Sequence, residues 1–64
     1  MSADVLQAKL GVAILVIPAG INSASVQRVR EYKKWVGQAR KAINTGTKNE
    51  QILQSLLNQY EAYK

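Results

Sequence analysis

The chain has 64 residues and a formal net charge of +5, from nine lysines and arginines against four acids, with neither cysteine nor histidine. That composition excludes disulfides, structural zinc, thiol chemistry and imidazole catalysis. At this size a core alone supplies no more than about 3–5 kcal/mol. A single small helical domain or subunit over residues 1–64, with no such staple, therefore points to oligomerisation or to docking on a larger body.

At the N-terminus Ser2 is placed to cap a helix, and Asp4 falls in the first turn, where a carboxylate suits the helix dipole. Residues 10–21, LGVAILVIPAGI, carry no charge and no hydrogen-bonding side chain. Pro18 must end or kink whatever precedes it, and Gly20 adds a second break. The spacing predicts a helix over 3–16. The alternative is a buried strand at 12–17, VAILVI, giving a strand plus two helices, because β-branched residues suit either state.

The apolar run is short of the roughly 20 residues a membrane span needs. Asp4 spoils a basic leader, and no good cleavage pattern follows. The expected location is accordingly the cytoplasm or an intracellular assembly. On the helix, Leu6, Leu10, Ile14 and Ile17 are expected to cover the core. Val5, Val12, Leu15 and Val16 project on other sides. A helix apolar nearly all round should be buried nearly all round, so these four are the expected oligomer or partner interface.

The middle segment predicts a helix over 23–44, capped by Ser23 or by its neighbours Asn22 or Ser25. Val29, Tyr32, Val36, Ala39 and Ile43 step by 3, 4, 3 and 4 as a core seam, flanked by Trp35 and Ala42. Arg30, Lys33, Lys34, Arg40 and Lys41 share about 120° of the opposite side, while Arg28 falls near the apolar edge. Five cations with no acid among them exceed what solubility asks of an exposed face, since like charges one turn apart repel. The expected partner is anionic: nucleic-acid phosphates, lipid headgroups or an acidic protein. Gly37 lies on this outer side.

Between the helices, Gly46 follows the periodic segment as a left-handed cap would. Thr47 and Glu50 match the T-x-x-E capping box, so the chain should turn back as an antiparallel hairpin. The last helix is expected over 48–63, with Ile52, Leu53, Leu56, Leu57, Tyr60 and Tyr63 on one stripe.

Asp4, Glu31, Glu50 and Glu61 are spread singly, and the four glycines form no phosphate-binding loop. No cofactor, metal or small-molecule substrate is expected, and no catalysis. The sequence thus predicts an all-α protein that self-assembles or docks on a larger protein through its N-terminal apolar segment, as an assembly, scaffold or adaptor subunit. The alternatives are a small dimeric nucleic-acid-binding protein using the basic stripe and, third, a cationic membrane-active peptide.

Overall fold

The computed structural model describes residues 2–64: helix α1 (Ala3–Leu15), a 3-10 turn (Ala19–Ser23), helix α2 (Val26–Asn44) and helix α3 (Glu50–Glu61). The protein is all-α, with no strand among the described residues. The strand reading of 12–17 therefore fails: those residues span the last turn of α1 and the bend after it.

Each helix starts and stops for a local reason. The Ser2 hydroxyl accepts from the Val5 amide, as the sequence suggests, and Asp4 lies in the first turn. Ahead of Pro18, Val16 turns extended and ends α1. The 3-10 turn consumes Ser23, so the cap of α2 is Ser25, whose Oγ accepts from the Arg28 amide at 3.2 Å. α2 closes as a Schellman motif. The Thr47 amide donates to the Ala42 carbonyl, the Gly46 amide donates to Ile43, and Gly46 sits at φ +66°.

The capping box is not formed. Asn49 caps α3 instead, accepting from the amides of Gln51 and Ile52, while the Thr47 hydroxyl accepts from the Asn49 amide. An asparagine immediately before the helix can reach the free amides, whereas Thr47 is spent shaping the approach to it.

The helices form an up-down-up bundle. Trp35 meets Leu56, and Arg28 reaches Ala62, so α2 and α3 run antiparallel as the hairpin reading requires. Lys48 pairs with Asp4, the Gln7 amide donates to the Thr47 carbonyl, and Tyr60 reaches Val16. Thus α1 runs parallel to α3 and packs on both other helices.

Leu6, Leu10 and Ala13 enter the core from α1, Ile21 from the turn, Tyr32, Trp35, Ala39 and Ala42 from α2, and Leu53, Leu56 and Tyr60 from α3. Trp35 is the centre. It is 1% exposed, and its indole N–H donates to the Leu56 carbonyl at 2.8 Å. Tyr32 stacks on it at 5.8 Å, Tyr60 lies at 5.3 Å, and Tyr63 meets the Tyr32 ring edge-on at 5.4 Å.

Several expected core residues sit differently. The buried stripe of α2 turns toward Trp35 and Ala42, leaving Val29, Val36 and Ile43 half-buried at its edge. Burying the large indole, with a carbonyl to receive its N–H, sets that rotation. Ile14 and Leu57 are likewise half-buried. Two assignments are overturned: Ile17 is 62% exposed and Ile52 48%. The helix ends before Ile17, so the residue leaves the register of Leu10 and Ala13, and Ile21 fills the end of the core instead. Ile52 falls to the side of the stripe set by Leu53, Leu56 and Tyr60.

Candidate interaction surfaces

Two surfaces stand out, one apolar and one basic. The apolar surface is the outward side of α1. Leu6, Leu10 and Ala13 take the inner side at helical spacing, which forces Val5, Val12 and Leu15 outward. All four expected interface residues are exposed, three of them on the outer face of α1 and Val16 in the extended residue that follows it. Leu15 is 82% exposed and Val12 63%.

Ala8 is exposed among them and was not singled out from the sequence. With it, Val5, Ala8, Val12 and Leu15 step by 3, 4 and 3, a heptad seam with β-branched residues at alternate positions. That spacing is readable in the sequence once the inner stripe is known. Beside the seam, a groove between α1 and α3 is lined by Val12, Ala13, Val16, Leu57 and Tyr60 together with the charged Lys9, Glu61 and Lys64. The seam is therefore bordered on this side by a strip of mixed polarity.

By length and composition alone, Ala3–Ser23 reaches the size and apolarity of a membrane span, a longer stretch than the run read from the sequence. In the fold this stretch is not one helix, because α1 stops at Leu15 and the chain is extended to Pro18.

The basic surface is the outward side of α2. Arg30, Lys33, Lys34, Arg40 and Lys41 are all exposed, opposite the buried Tyr32, Trp35, Ala39 and Ala42. Three of the four remaining cations sit differently: Lys48 pairs with Asp4 at 3.3 Å, Lys64 with Glu61 at 3.0 Å, and Arg28 lies 4.7 Å over the Tyr63 ring. The edge position read for Arg28 is thus a cation–π contact, with its head also donating to the Ala62 carbonyl.

No charged side chain is buried among the described residues, and no three acids gather there to hold a metal. The Tyr32 phenol is pushed above its ordinary value of 10.0 by burial and, secondarily, by repulsion from Tyr60. Both rings belong to the core. No protein family, curated protein or solved structure matches the chain.

Proposed function

We propose that the chain is a non-enzymatic helical subunit that assembles through the outer face of α1, with a second copy of the same chain as its occupant. The supporting observation is the row Val5, Ala8, Val12 and Leu15, uncharged along its length and left in solvent by its own bundle. Burying a valine or leucine fully is worth about 1.5–3 kcal/mol. This row is thus large on the scale of what so small a core supplies. A heptad row is also self-complementary, so a two-fold pairing places valine layers against each other without any new chemistry. Docking on a larger protein would use the same face.

Sedimentation at ordinary salt is the test. The wild-type mass is expected above 7.1 kDa, and Leu15→Glu should lower it while helix content stays. A wild-type monomer at all accessible concentrations overturns self-assembly. Leakage of anionic vesicles by the wild type, without self-association, would move the face to a lipid surface instead.

A further inference from the structure

The net charge of the molecule is concentrated on α2. Outside that face the chain has four cations and four acids, so the five cations of the face equal the whole net charge of +5. None of the five forms an ion pair among the described residues. Glu31, the one acid of α2, projects beyond the edge of the stripe.

The cations are not evenly spread. At about 100° per residue, Lys33 and Arg40 fall along one flank and Arg30, Lys34 and Lys41 along the other. The line between the flanks is Val26, Gly37 and Asn44. Gly37 stands at the middle, and a Cβ there would meet nothing within 4 Å. Packing within the chain therefore does not require this glycine, although glycine is a poor choice in mid-helix. What it provides is a bare centre between two rows of positive charge.

We propose that this face docks in the major groove of B-form duplex DNA, with the two cation rows on the phosphates of the two strands. The groove is about 12 Å wide and admits one helix; phosphates line both of its walls. A bare centre lets the helix axis approach the groove floor, and cations on both flanks then meet both walls. Base reading needs amide or guanidinium groups on the centre line. Val26 and Gly37 offer none and Asn44, the last residue of the helix, is the one amide on the line, so the docking rests on the phosphates and base reading is confined to that end. Single strands are disfavoured because no aromatic lies on this face; the rings are in the core or against it. The deep, narrow major groove of A-form RNA does not admit a helix, and a flat lipid surface makes no use of a bare centre. This interface is distinct from the α1 face and stands without the assembly reading.

The test is fluorescence anisotropy of a short labelled DNA duplex titrated with the full chain over a range of salt. Binding is expected to weaken with a log–log slope of about −3 to −4. Charge reversal on either flank, Arg30→Glu/Lys34→Glu or Lys33→Glu/Arg40→Glu, should flatten that slope and lose binding. Gly37→Leu keeps every charge, favours the helix and fills the centre without a group that can hydrogen-bond base edges, and it should lose binding too. Circular dichroism and Trp35 emission report that each variant is folded. No anisotropy change at low salt overturns the proposal, as does unchanged binding by Gly37→Leu. Equal affinity for a single strand or duplex RNA, or tighter binding to phosphatidylglycerol vesicles than to DNA, overturns it as well.

Discussion

The Tyr60 hydroxyl donates to the Val16 carbonyl at 2.9 Å, joining α3 to the residue that ends α1. That carbonyl is one of those a helix end leaves without an intrahelical partner, and the extended approach to Pro18 carries the next amides away. Tyr60 supplies the missing donor while its ring packs on Trp35. Tyr60→Phe keeps the ring and removes only this bond. It is expected to cost about 1 kcal/mol, read as a lowered midpoint in urea with an unchanged slope. A midpoint equal to wild type would mean that water replaces the hydroxyl without penalty.

Gly20 is fixed by proximity rather than by its dihedral. A Cβ at this position would lie 2.9 Å from the Tyr63 carbonyl oxygen and 3.2 Å from the Lys64 carbonyl carbon. Both are backbone atoms, so the turn and the end of α3 must part to admit a methyl group. Gly20→Ala is expected to destabilise by about 1–3 kcal/mol. The edge contact of Tyr63 on Tyr32 should loosen with it, visible as a change in near-ultraviolet circular dichroism.

Gly46 and Gly37 should respond in opposite directions to the same substitution. Gly46 holds φ +66° in the Schellman motif, with open space around it. Gly46→Ala therefore meets no clash, but it must adopt the left-handed conformation at a cost of about 1–2 kcal/mol. Gly37 is an ordinary helical position, also in open space. Gly37→Ala should stabilise by about 1 kcal/mol. Thermal melts of the two variants, measured together, check both signs.

The legible parts of this fold are those set by short-range stereochemistry. Gly46 could be read because only a left-handed cap explains a glycine there, and the outward set Val5, Val12 and Leu15 followed once Leu6 and Leu10 claimed the inner side. The Thr47–Glu50 box misled because Asn49, one residue from the helix, competes for the same amides and is nearer. Ile17 misled because a helical stripe was carried past the point where Pro18 removes the helix. Ile21 went unread, since a single apolar residue in a five-residue 3-10 turn has no period to reveal it. The parallel course of α1 and α3 was equally hidden: a stripe marks which side is buried, never which neighbour covers it. The basic row was complete in sequence, but the open space around its glycine centre is a property of the folded bundle.

Alkaline pH should expose the strain of ionising the core. The folded-state value for Tyr32 lies above the ordinary 10.0, chiefly because burial opposes the phenolate and secondarily through repulsion from Tyr60. The unfolded chain therefore releases this proton first as pH rises. Between the two values the folded state holds more protons, so each step upward favours unfolding. The Tyr32 contribution is fully present below pH 10 and is lost as pH climbs through the folded value. Urea midpoints should fall more steeply above pH 10 in wild type than in Tyr32→Phe, which retains the stacked ring on Trp35 without the ionisable group. Parallel declines in the two proteins would place the alkaline instability outside Tyr32.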